Sequence, residues 1–126
     1  MVFIMESPFR KDDLMAILEG IEDGVVKLDG QAKYLAMNRA AADMFRRLGL
    51  DPQAMIGKSL WGLFPDVKGT LVERQLRQAL EDNTTIRFEF LYPGDQHWYE
   101  TQGYPSHPGV ILVFRDITGR KSPSQS

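Results

Sequence analysis

The sequence contains no cysteine. That removes disulfide frameworks, thiolate metal sites, cysteine nucleophiles and thiol redox chemistry together. It agrees with a reducing compartment without requiring one. Histidine is nearly as scarce, with only His97 and His107. An excess of one charge is also lacking: the formal net charge is −2, so no basic face for nucleic acid is expected. No long hydrophobic run is present. Met1 to Met5 is apolar but too short to span a bilayer, and it has neither the basic start nor the cleavage site of a signal peptide. The expectation is a cytoplasmic chain with no direct membrane contact, any anchor of a parent protein lying outside it.

Catalytic signatures are missing too. There is no Gly-x-Ser-x-Gly elbow and no glycine-rich phosphate loop. Ser106 precedes His107, but adjacency in sequence is not triad geometry. The acidic pairs Asp12-Asp13 and Glu81-Asp82 fall on polar helix faces and read as solvation. With no convergent constellation, the chain is not expected to be an enzyme. Asp95, His97 and His107 could meet around a zinc ion, but solvated turn residues are the more ordinary reading and no metal site is expected.

What is present is the pattern of one globular domain. A chain of 126 residues, 43% hydrophobic and 25% charged, can bury a core without staples. Ser7-Pro8 marks a helix start, and Leu14, Ile17, Leu18 and Ile21 then form one apolar stripe. Two short strands follow, Val25 to Asp29 and Lys33 to Met37, around the hairpin signal Asp29-Gly30-Gln31. Asn38 can cap a helix from Arg39, with Ala40, Ala41, Met44, Phe45 and Leu48 on its apolar side and Gly49 as its stop. Residues 50–66 read as irregular yet too apolar for a solvated linker, holding Met55, Ile56, Leu60, Trp61, Leu63 and Phe64. A longer helix is expected over Val67 to Asp82, with Glu73 and Arg77 as an i,i+4 ion pair. Three strands close the domain: Ile86 to Tyr92, Trp98 to Tyr104 and Val110 to Asp116. The tail, Ser122 to Ser126, is polar. Helices inserted between two groups of strands give an α+β domain with a five-stranded antiparallel sheet. The expected division is a flanking helix over 1–22, the domain over 23–118 and an exit linker with a disordered tail over 119–126.

Several segments agree with one family. Asn38-Arg39-Ala40-Ala41 resembles the Asn-x-Ala-Ala helix start of PAS domains. Ile56-Gly57-Lys58-Ser59-Leu60-Trp61 resembles their Gly-Lys segment, and Leu63-Phe64-Pro65-Asp66 the following Leu-Phe-Pro-Glu step. His97-Trp98-Tyr99-Glu100 with Tyr104-Pro105 is similar to a Trp-Phe-Glu-Val…Tyr-Pro strand of bacterial sensors. Val113-Phe114-Arg115-Asp116-Ile117-Thr118, with Arg120-Lys121, is similar to the Asp-Ile-Thr exit motif. The resemblance covers residues 12 to 121. It implies a PAS-like sheet of order 2-1-5-4-3 with helices over one face, an N-terminal amphipathic helix, and a sensory or dimerisation role in bacterial signal transduction. The implied effector, such as a histidine kinase of a two-component system or a cyclase, is not in this chain. It also implies that Asp116 and Thr118 relay the signal, the acid held by a basic residue. Gly119 departs from the family's usual acid at that point.

The resemblance raises the question of a cofactor, which the residues leave unknown. A cysteinyl-flavin adduct is excluded for want of cysteine, and residues 67–82 hold no histidine at the usual haem-ligand position. The ligand-binding candidates are Val26, Leu28, Phe45, Trp61, Phe64, Leu76, Phe88, Phe90, Tyr99, Leu112 and Phe114, with Thr101 and Arg39 as polar groups for a small apolar or amphiphilic ligand. Against this stands a core in which the same side chains fill one another's space. A homodimer is expected through Leu14, Ile17, Leu18 and Ile21 with the outer-face residues Ile111 and Val113. The alternatives are thus a signal-input module, a ligand-free homodimerisation module with a fully packed core, and an enzyme with a hydrophobic pocket. The last needs an acid or histidine inside the pocket, and alternation puts Glu89 and Glu100 outside it.

Overall fold

The computed structural model describes residues 10–120. The Ser7-Pro8 helix start and the tail Ser122–Ser126 lie outside the described residues. Helix α1 (Lys11–Gly20) has Arg10 at its cap, where the Arg10 backbone N–H donates to the Asp13 carboxylate at 3.0 Å. Strands β1 (Gly24–Leu28) and β2 (Tyr34–Met37) follow. Their turn is held by Asp29, whose carboxylate accepts from the N–H groups of Gln31 (2.8 Å) and Lys33 (2.9 Å). The left-handed residue there is Ala32, at φ 63°, rather than Gly30, so the turn is an Asx-type turn built on Asp29.

Helix α2 (Arg39–Arg47) starts at Asn38 as its sequence suggests, the Asn38 side chain accepting from the Ala41 N–H at 2.9 Å. The expectation of an irregular stretch over 50–66 is corrected. It folds as two one-turn helices, α3 (Pro52–Met55) and α4 (Leu60–Leu63), followed by a 3-10 turn, Pro65–Val67. Asp51 and Ser59 cap these turns through their side chains, and Pro52 supplies a ready first-turn φ. Helix α5 covers Leu71–Asp82, starting four residues later than the pattern suggests. Gly69, at φ 81°, breaks the chain direction and Thr70 caps the helix.

Strands β3 (Ile86–Tyr92), β4 (His97–Ser106) and β5 (Gly109–Asp116) complete one antiparallel sheet in the order β2-β1-β5-β4-β3. β4 runs two residues past Tyr104 because its pairing with β5 continues to Ser106 opposite Gly109. Gly109 meets a specific demand: a Cβ there would lie 1.8 Å from the Leu28 carbonyl oxygen. Side chains alternate as a one-face-covered sheet requires. Ile86 and Phe88 are buried, while Arg87 and Glu89 are exposed. Glu100 on the outer face takes the Arg87 guanidinium at 3.1 Å. The helices α2 to α5 close over the inner face, and Leu28, Met55, Leu76, Val26 and Val110 are its most fully buried large side chains.

Candidate functional site

The inner face does not close completely. A cavity of about 110 Å³ remains, lined by Val26 and Tyr34 from the first hairpin, by Met44, Phe45 and Leu48 of α2, and by Leu60, Phe64 and Val67. Val72 and Leu76 of α5 and Phe88, Phe90, Tyr92, Tyr99, Thr101, Leu112 and Phe114 of the last three strands complete it. Ten of the thirteen candidate ligand-binding residues meet here: Val26, Phe45, Phe64, Leu76, Phe88, Phe90, Tyr99, Thr101, Leu112 and Phe114. The rings lean on one another: Phe45 contacts Tyr34, Phe64 and Phe114 at centroid distances of 5.8–5.9 Å. Such contacts stiffen the wall beyond their area alone.

Three candidates are placed elsewhere. Leu28 points to the covered side but is fully enclosed among other side chains. Trp61 lies under the Arg77 guanidinium, which is 5.0 Å from its ring centroid, and is partly buried against the core without lining the cavity. Arg39 is exposed, and its backbone N–H donates to Glu19 at 3.0 Å. The start of α2 is tied to α1 and β1, so only its later residues, Met44 and Phe45, with Leu48 just past its end, reach the cavity. No charged side chain belongs to the lining. Sequence reasoning missed Tyr34, Tyr92, Met44, Leu48, Leu60, Val67 and Val72. The inward alternation of Tyr92 with Phe88 and Phe90 was a usable signal for that residue. Tyr34 gave none, because a bulge at Leu35, within its own strand, breaks the alternation against β1.

The polar groups inside are hydroxyls. Tyr34 is buried, and this pushes its phenol well above the ordinary value. Thr101 is also buried. Tyr92 is half-buried, and its phenol is raised by partial burial and by the nearby Asp66 and Asp95. Tyr99 donates its hydroxyl to Asp95.

Beside the cavity wall, the end of the sheet carries a compact polar cluster. His97 Nδ1 lies 2.6 Å from an Asp116 carboxylate oxygen, and the other oxygen accepts from the Thr118 N–H at 2.9 Å. Thr118 Oγ1 accepts from the Trp98 N–H at 2.9 Å, and the Ile117 N–H donates to the Trp98 carbonyl at 2.8 Å. The hydrogen bond to Asp116 raises the His97 pKa. Desolvation opposes the net lowering at Asp116, which comes from its bonds to Thr118 and His97. Asp116 and Thr118, the expected relay pair, are thus fastened to the start of β4. His107 sits at the opposite end of that ten-residue strand from Asp95 and His97, roughly 30 Å away at the rise of a strand. Among the described residues, no three acidic or imidazole side chains are grouped to hold a metal ion.

On the other face, α1 leaves Leu14, Ile17, Leu18 and Ile21 exposed, with Met15 exposed at 54%. Met15, Leu18 and Glu19 border a groove of about 300 Å³ that includes Val25, Lys27, Ala36 and Ile111. Ile111 and Val113 are half-buried on this outer face. Among the described residues no helix is long and apolar enough to cross a membrane.

Comparison with known proteins agrees with the geometry. A family model described as the PAS fold matches residues 18–122. A domain of an HTR-like protein from Haloarcula marismortui is 30% identical over 78% of this chain and 100% of its own, with a TM-score of 0.59. A domain of the sensory box sensor histidine kinase/response regulator from Geobacter sulfurreducens is 20% identical over 89% of this chain and 98% of its own, with a TM-score of 0.70. The PAS domain of the Cronobacter turicensis RpfR quorum-sensing receptor, solved in complex with BDSF, is 20% identical over 78% of this chain and 96% of its own, with a TM-score of 0.62. Among curated proteins none matches.

Proposed function

The chain belongs to the PAS family, a family of sensory modules in signal transduction, and on that premise we propose that it is an input module holding a small, largely apolar ligand in its cavity. The observation that carries this reading is the space itself. About 110 Å³ stays open in a core whose other large side chains are enclosed. A single water needs only about 10–15 Å³. Apolar walls with a few polar groups are the usual make-up of a small-molecule site. The output side is the cluster of His97, Asp116 and Thr118, which joins the cavity-lining strand β4 to the exit segment. The effector is a partner such as a histidine kinase or cyclase in the parent protein, in the cytoplasm. A ligand shifts such a switch only by binding its two states with different affinities.

The experiment that tests this is native mass spectrometry of gently purified protein against its denatured mass. The expected result is extra mass on the native ion that disappears on denaturation. Native ions without added mass, together with no thermal stabilisation by small aromatic probes, overturn the reading in favour of a packed dimerisation module.

A second reading has its own observation and is compatible with the first. The exposed stripe Leu14, Ile17 and Leu18 on α1, with Ile21 just past its end, is the surface for a second copy, together with the outer-face residues Ile111 and Val113. A contiguous apolar stripe of this kind marks an interaction surface.

A further inference from the structure

Resting on the cavity as a ligand site, we infer that it selects a compact, uncharged molecule with one hydrogen-bonding group, held by the Tyr34 and Thr101 hydroxyls, and that it rejects anions. Three observations combine. First, Tyr34 is 2% exposed and Thr101 6% exposed, both line the cavity, and neither hydroxyl has a hydrogen-bond partner among the described residues. No buried side-chain polar atom there is sealed off without a partner, so these two hydroxyls open onto the cavity. A fully apolar occupant leaves them unsatisfied, or removes the water that satisfies them, at a cost comparable to a lost hydrogen bond.

Second, the lining holds no cation. An anion inside would be desolvated with hydroxyl donors alone to compensate, and burying an unpaired charge is far more costly than burying a neutral dipole. Third, the surroundings are acidic. Asp66 and Asp95 act on the Tyr92 phenol, and Asp95 and Asp116 act on Tyr99, with Arg47 as the opposing charge on that side. Asp116 is paired with His97, so Asp66 and Asp95 stand against the Arg47 guanidinium and give an approaching anion no net attraction. The selected class is therefore a benzyl-alcohol-like molecule: an apolar body with a neutral hydroxyl or carbonyl.

The test uses three probes of matched size, toluene, benzyl alcohol and benzoate, titrated into the full chain and followed by amide chemical shifts. Benzyl alcohol is expected to bind about three- to tenfold more tightly than toluene, the range one net hydrogen bond supplies, and benzoate weakest. Tyr34→Phe and Thr101→Val keep the shape and remove a hydroxyl. Each is expected to shrink the benzyl alcohol preference, in part by tightening toluene binding, because a hydroxyl that toluene cannot satisfy is gone. Benzoate binding tightest, or a preference that survives both substitutions, overturns the inference while leaving a ligand site in place. Saturable binding of none of the three probes overturns the ligand-site reading itself.

Discussion

Asn38 makes four hydrogen bonds with one side chain, and one of them ties it to Leu18 of the preceding helix. Its amide nitrogen donates to the Leu18 carbonyl at 2.9 Å and to the Asp23 carbonyl at 3.0 Å, while its oxygen accepts from the N–H groups of Val25 and Ala41 at 2.9 Å. A residue chosen as a helix cap thereby joins α1, β1 and α2.

Asn38→Ala is expected to destabilise the domain by about 2–3 kcal/mol, combining a lost cap with backbone groups left unsatisfied in a buried place. Asn38→Asp keeps the acceptor but turns a carboxylate toward two carbonyls, and it should not restore stability. As a contrast, Asp43→Ala removes an exposed ion pair with Arg46 and should change stability by less than about 0.5 kcal/mol. Urea unfolding of the three variants checks the order.

The His97–Asp116 pair predicts a pH dependence. The folded His97 pKa is raised above its ordinary value of 6.5. Its contribution to stability is therefore complete below that value and is lost as the pH rises through the higher folded pKa. At Asp116 the shift is downward from 3.8, so that contribution is present above 3.8 and lost in stronger acid. The difference in Tm between the native chain and His97→Gln should be larger at pH 5.5 than at pH 8.5. An NMR titration of the ring should give a midpoint above 6.5 that falls in Asp116→Asn. A Tm difference that does not change with pH sinks the coupling.

Leu18→Asp places a charge in the exposed stripe of α1. Leu18 is 40% exposed in the single chain, so a folded monomer should tolerate the change within about 1 kcal/mol, as surface substitutions do. The expected outcome is a dimer reduced to a monomer in sedimentation velocity, with an unchanged circular dichroism spectrum. A sedimentation coefficient equal to that of the native chain places the contact elsewhere.

Leu28 and Phe88 both face inward, but only Phe88 borders open space. Leu28→Ala creates a new void in a filled region and should cost about 2–5 kcal/mol. Phe88→Ala enlarges a void already present, so its loss should fall below the roughly 3–5 kcal/mol typical of a buried phenylalanine. Paired urea titrations read the two values. A Phe88→Ala cost at or above that range would indicate that the site is tightly filled.

Much of this architecture was legible because long periodic segments carry their own evidence. The alternation Ile86, Phe88, Phe90, Tyr92 and the cap at Asn38 each fix an element and the face it presents. Residues 50–66 were harder for a physical reason. A four-residue helix such as Pro52–Met55 is one turn long, so no stripe can repeat, and only its cap, Asp51, announces it. Helix α5 starts later than its pattern because Val67 is buried in a 3-10 turn, and an apolar residue there mimics helical periodicity. Inward direction is written in the alternation, but whether a void lies beyond the side chain depends on packing across four elements. That separates Phe88 from Leu28, and it hid Tyr34, which reaches the space from the edge strand.

In the first three residues of β4, His97 and Tyr99 share the inner face and Trp98 takes the other, and this has a mechanical consequence. Tyr99 forms cavity wall, the Trp98 backbone both donates to and accepts from the exit segment, and His97 holds its acid. The distance from wall to exit is then one peptide unit. An occupant that displaced the Tyr99 ring and its strand would drag the departure angle of the chain with it, through the stiffest direction of a paired ribbon. Information in such a lever needs no relay of side chains across the protein, and its gain would be set by how rigidly Asp116 and Thr118 are pinned.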